Sequence, residues 1–455
     1  MGESLSTLRL NAYTGASGDP MVGGALGAGA ETWALTARSP SRTFLAPTPK
    51  PELSDWRHPE VGWGVVMSEA AGDPPPALQR LLDARSGSRV FRYRPGWTHA
   101  FTLLRDTVGK RDVDITGSDR GTLPHFLLIF GGPAEVPWSM QYILSNNRAV
   151  GRLALEGEAL DNYINALLTD FGDTSADPYR SVVWAVDHGT TDITHLMRNQ
   201  IAAKVHEQYR SDTEMTANAV FLDGTTSPES ARGVALIDTL RTTRPGMIVS
   251  TSHGHTGPLD DPGTMLRKLG LPVDQDHQVV EPVALLDAWQ PDGAVWYAHA
   301  CCSAGSDSPT FFDGLFDRGS QTDNVLQGVA KLGPHVAPLP QRLLGAKKPL
   351  RAFIGHVEPT FDWTLRQPAN RQPISAAITE ALHQHLYLRD PVGMAFRDWY
   401  ARVGGLYSQH AAAARAYDNG EENVADLLYF QLAARDIQST VILGDPTVAL
   451  PLRTV

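Results

Sequence analysis

Only two cysteines occur in the 455 residues, and they are neighbours, Cys301 and Cys302. A disulfide between adjacent residues is strained and closes no useful loop, so the pair is not a structural framework. Both lie in His299-Ala300-Cys301-Cys302-Ser303-Ala304-Gly305, a segment better suited to chemistry than to cross-linking. The ordinary alternative is a small thiol buried as a hydrophobe. The thiolate is the nucleophilic form of cysteine, and a partnered imidazolium populates it near neutral pH. A matching base stands upstream in Ser252-His253-Gly254-His255. The glycine after His253 lets a backbone N–H approach a substrate carbonyl with no side chain in the way. The N–H groups of Gly254 and Cys301 are therefore the candidate oxyanion donors.

The elements that must position these groups are short apolar runs at 126–130, 181–186, 219–224, 247–252, 294–300 and 350–355. Runs of this kind, separated by helical patterns, predict a buried, mostly parallel sheet covered by helices. The 191–212 and 227–243 segments carry apolar residues at helical spacing and are placed to be crossover helices. In an open α/β sheet ligands collect beyond the carboxyl ends of the strands, which is where both reactive segments begin. Residues 1–120 are rich in Gly, Pro and Ser and read as a loop-rich N-terminal extension, with a strand within 57–66 and a short helix within 75–85. The glycine-rich run beginning at Gly15 reads as flexible. Residues 121–365 form the expected core, and 366–455 a mostly helical part closed by a strand at 441–450.

Within the candidate site, Cys301 is preferred to Cys302 from strand parity, and His253 to His255 because it is the residue directly after the strand and before glycine. Cys302 and His255 are left to line the cleft. His299 reads as a hydrogen-bonded core histidine, and His356 and Glu358 as supporting groups. Asp260, Asp261, Asp307 and Asp313 follow the two reactive loops; each is an ordinary solvated loop residue unless it receives a basic substrate side chain, and Asp307 is the first choice for that role. Zinc ligation by His253, His255, Cys301 and Cys302 uses suitable ligand types, but adjacent cysteines chelate poorly and no Cys-x-x-Cys is present, so no metal and no cofactor are expected. The sequence contains neither a phosphate-binding G-x-x-x-x-G-K-[ST] loop nor a G-x-S-x-G elbow. A formal net charge of -11 argues against a nucleic-acid partner. With no basic-then-apolar N-terminus and no run of roughly 18 apolar residues, a cytoplasmic chain without a membrane contact is expected.

The order strand-His-Gly followed by strand-x-Ala-Cys resembles the caspase and gingipain clan of cysteine peptidases, in which the histidine precedes the cysteine by about 50 residues. Here His253 and Cys301 are 48 apart by number. His299-Ala300-Cys301-Cys302-Ser303 is similar to the caspase Gln-Ala-Cys-x-Gly, with His for Gln and Ser for Gly, and Cys302-Ser303-Ala304-Gly305 is similar to the Cys-Ser-x-Gly of separase. The likeness to bacterial caspase-like proteins spans about 125–365, and the 441–450 segment resembles the closing strand of gingipain-type domains. The resemblance implies a caspase-like α/β fold and a Cys-His dyad that cleaves protein or peptide substrates, with selectivity for a basic P1 residue as one option. It also implies latency as a zymogen or under a regulatory partner or activating protease, with cuts in the long loops at 40–90 or 303–325, and a setting in bacterial antiviral defence or cell death. The two departures beside Cys301 also suit a catalytically silent scaffold that binds a protein partner.

Overall fold

The computed structural model describes residues 7–15, 22–30, 33, 52–95, 104–115 and 123–450. Its centre is a twelve-stranded sheet, in spatial order Ala219–Asp223, Asp177–Ala185, Pro245–Thr251, Val295–His299, Ala352–His356, Thr440–Leu443, Ala149–Leu153, Phe126–Phe130, Trp63–Ser68, Arg89–Tyr93, Leu104–Asp106 and Arg111–Val113. The first five strands run parallel, as do the five from Thr440–Leu443 to Arg89–Tyr93. Thr440–Leu443 joins the two parallel groups by pairing antiparallel with Ala352–His356, and the last two strands form an antiparallel edge. The protein is thus mixed α/β with a mostly parallel sheet flanked by helices.

The apolar runs form strands because both faces of the sheet are covered. Val182, Val183, Trp184, Met247, Ile248, Val249, Val295, Trp296 and Tyr297 are all 1% exposed or less, each fully buried aliphatic side chain contributing about 1.5–3 kcal/mol relative to exposure. The helices present matching stripes. Ile193, Met197, Ile201, Val205 and Tyr209 recur every fourth residue and are buried, running from Ile193–Met197 through a π turn at Arg198–Ala202 into Ala203–Ser211. Gly233–Thr243 buries Leu236 and Leu240 in the same way and crosses to Pro245–Thr251. The two long C-terminal helices, Arg397–Asp418 and Val424–Ser439, pack against each other before the last strand enters the sheet.

The N-terminal 120 residues hold more regular structure than their composition predicts. Trp63–Ser68, Arg89–Tyr93, Leu104–Asp106 and Arg111–Val113 extend the central sheet, and Pro76–Ala84 is a helix. The 40–90 span is accordingly not one long loop; its residues 40–51 lie outside the described residues. Part of the glycine-rich run forms the strand Val22–Ala25, antiparallel to Thr7–Leu10. Gly and Pro content signals turns well, but it does not register strands whose partners lie far along the chain. Among the described residues no helix is long and apolar enough to cross a membrane.

Candidate active site

Three neighbouring parallel strands deliver the site. Ala185 pairs with Thr251, and Thr251 with His299, so His253 and Cys301 each stand two residues beyond a matched pair. Residues 187–192 leave the third strand, Asp177–Ala185, at the same edge. His253 is fully buried, and its Nε2 lies 3.0 Å from Asp192 Oδ2. The other carboxylate oxygen of Asp192 caps the helix Ile193–Met197, accepting from Thr194 N–H at 2.8 Å and Thr194 Oγ1 at 2.6 Å. Asp192 is therefore fixed at both oxygens. Burial acts to raise its pKa, but the His253 hydrogen bond and charge and the Thr194 bonds outweigh it and hold the carboxyl at about 2.

An ionised carboxylate only accepts hydrogen bonds, so it places the imidazole proton on Nε2. His253 Nδ1 is left as the basic atom, and it has no hydrogen-bond partner among the described residues. His188 stacks on His253 with ring centres 5.5 Å apart, and His277 approaches His188 at 4.1 Å. Burial, aided by the charge of His253, lowers the His188 pKa to about 4 and keeps it neutral. His188, Asp192 and His253 offer ligand atoms within 4.8 Å of one another and form a group that could hold a metal ion. It differs from the zinc set that the sequence offers and that its adjacent cysteines argue against, because neither cysteine nor His255 takes part.

Cys301 is also fully buried. Its Sγ accepts the Thr360 N–H at 3.2 Å and lies 3.8 Å from the Thr360 carbonyl, and no hydrogen bond joins it to His253. Burial, reinforced by Cys302, pushes the thiol well up, so the sulfur is protonated in this arrangement. Its backbone N–H donates to the carbonyl of Asn11 at 3.2 Å. Cys302 adopts a left-handed φ of 55° and donates its N–H to the Glu358 carbonyl; its thiol is buried among apolar groups and likewise raised in pKa, by burial first and then by Glu358.

Gly254 packs on the Cys301 backbone so closely that an added Cβ would stand 1.8 Å from the Cys301 carbonyl oxygen. Gly254→Ala is expected to lower stability by about 1–3 kcal/mol, as overpacking does; a urea unfolding midpoint equal to that of the wild type would contradict this placement.

His255 lies in the short strand His253–His255, between Pro272–Val273 and Ala12–Tyr13, with its ring edge-on to Tyr13 at 6.3 Å. Asp307 accepts from its own neighbour Ser308 N–H at 2.9 Å; burial raises its carboxyl to about 6, with the Ser308 bond and then Arg152 opposing. Asp261 caps the helix Pro262–Lys268, and Asp313 pairs with Arg318. His299 is a buried core histidine bonded to Tyr297 and His356.

The Thr360 loop is tied down by Asp436, which accepts from Thr360 Oγ1 at 2.9 Å, Thr364 Oγ1 at 2.7 Å and Phe361 N–H at 3.3 Å. Burial nevertheless raises the Asp436 pKa to about 7. The folded chain holds this proton more tightly than the unfolded chain, so the associated stability is full below about pH 4 and is lost as the pH rises through about 7. Asp436→Asn is expected to flatten the stability curve across that window, measured as the urea midpoint against pH; a slope equal to that of the wild type would assign the dependence to other groups.

Sequence reasoning missed Asp192, His188 and Thr360. Asp187-His188 directly follows a predicted strand, and Asp192 stands at a helix start, so applying the strand-end rule to all three strands finds the first two.

The fold and this edge define an α/β protein with a thiol, an imidazole and a carboxylate delivered by adjacent parallel strands. Comparison with protein-family models, curated proteins and solved structures finds no match.

Proposed function

We propose that the chain is a caspase-like cysteine endopeptidase, held latent in this conformation. The observation that carries the reading is the Asp192–His253 pair, which leaves Nδ1 as a base at the edge where Cys301 emerges from the next strand. In the working arrangement His253 Nδ1 takes the Cys301 proton and the sulfur adds to the substrate carbonyl carbon. The N–H groups of Gly254 and Cys301 receive the developing oxyanion. The carbon–nitrogen bond breaks as His253 returns the proton to the leaving amine, and water then hydrolyses the thioester to a carboxylate. Activation has to free the thiol from Thr360 and bring it to His253.

A second reading is a metal-dependent hydrolase, favoured by the His188, Asp192 and His253 group. Zinc separates the two. In the thiol peptidase a bound Zn²⁺ occupies the base, so hydrolysis is expected to fall on adding Zn²⁺, to recover with a chelator, and to become less sensitive in His188→Ala. Hydrolysis that a chelator abolishes and Zn²⁺ restores would overturn the thiol reading in favour of the metal one.

A further inference from the structure

Residues 8–13 lie across the site as a bound peptide would, and we infer from their placement that the enzyme selects asparagine at P1, the residue before the cleaved bond. The inference rests on the thiol-peptidase reading. Leu10 pairs antiparallel with Phe361, and the Asn11 N–H donates to the Thr360 carbonyl at 3.1 Å. Asn11 then turns its own carbonyl to the Cys301 N–H. On the far side the segment pairs parallel with the histidine loop, Ala12 with Gly254 and Tyr13 with His255. The Thr256 N–H to Tyr13 carbonyl bond, 2.9 Å, sets the phase of this ladder, so that two residues earlier the Gly254 N–H is directed at the Asn11 carbonyl. Both candidate oxyanion donors thus converge on one carbonyl of the chain, which makes Asn11 the P1 residue and Ala12 the residue beyond the bond.

The side chains fit the same assignment. Leu8 and Leu10 are buried in the apolar cluster that contains Cys301, Phe312, Phe316 and Phe361. Asn11 is fully buried, with Nδ2 3.0 Å from Met197 Sδ and 3.5 Å from the His299 carbonyl. A short neutral amide can donate to both acceptors, while its Oδ1 is buried without a hydrogen-bond partner among the described residues. An aspartate there would set a charged acceptor against a carbonyl and a thioether, and a lysine or arginine would bring a long cation to a place where, among the described residues, no acidic side chain bonds the P1 group. Asp307, the residue expected to receive a basic P1 side chain, bonds its own loop instead. In this conformation the Cys301 thiol is engaged with Thr360 and not with the Asn11 carbonyl.

The test uses the full chain and three thiol-reactive acyloxymethyl ketone probes, Thr-Leu-Arg-Leu followed by Asn, Asp or Arg, with modification of Cys301 followed by mass spectrometry. The asparagine probe is expected to react at least about tenfold faster than the others, and faster still in Leu10→Asp, whose buried carboxylate expels the segment. Should Leu10→Asp lose its cooperative melt, the ranking on the wild-type chain carries the test. Modification of Cys301 at equal rates by all three, or fastest by the Asp or Arg probe, overturns the inference and leaves the peptidase reading standing. A Cys301 inert to every probe in both forms overturns both.

Discussion

Replacing Cys301 with alanine is expected to reduce kcat/KM for peptide hydrolysis by about 10⁴-fold or more, the scale on which loss of a nucleophile acts, while Cys302→Ala stays close to wild type. The two thiols are adjacent and both buried, so burial does not distinguish them. Their surroundings do. Cys301 lies two residues past a strand pair that it shares with His253, and its N–H meets a peptide carbonyl. Cys302 turns away in a left-handed conformation and packs with apolar side chains, where alanine keeps most of the contact and is no worse for the backbone. Initial rates on a fluorogenic peptide check both variants; a Cys302→Ala loss equal to that of Cys301→Ala would move the nucleophile to Cys302.

Asp192→Asn is the second large effect, a fall in kcat on the order of 10²–10⁴-fold with the fold retained. The argument is one of tautomers. The carboxylate accepts from Nε2 and leaves Nδ1 as a base. An amide can present its NH₂ to Nε2 instead, and the imidazole proton then resides on Nδ1, where no base remains to take the thiol proton. Asparagine also caps helices, so Ile193–Met197 keeps its start. A kcat within a few fold of wild type, with an unchanged melting temperature, would show that Asp192 does not orient the base.

The central strands were legible because parallel strands buried on both faces are written as continuous apolar runs, as in Val182-Val183-Trp184-Ala185-Val186 and Val295-Trp296-Tyr297. Ala149–Leu153 was harder to read, because it carries Arg152 in the core, bonded to Gln141 and to the Gly131 carbonyl; a buried arginine breaks the apolar pattern and is satisfied only by partners distant in sequence. His253, Gly254 and Cys301 stood out as strand-end residues of reactive type. Asp192 did not, since an aspartate before Ile-Thr reads as a helix cap, and here it is one, with the second oxygen free to hold the histidine. Asn11 had no local signal at all. Its role depends on the chain returning more than two hundred residues away to pair with Gly254 and Phe361.

The measurement that tests the account most directly is the identity of the sulfur that a peptidyl thiol-reactive probe modifies, located by mass spectrometry of the digested wild-type chain and repeated in His253→Ala. The account predicts an adduct on Cys301 that forms far more slowly without His253. An adduct on Cys302, or one on Cys301 whose rate is indifferent to His253, would contradict it.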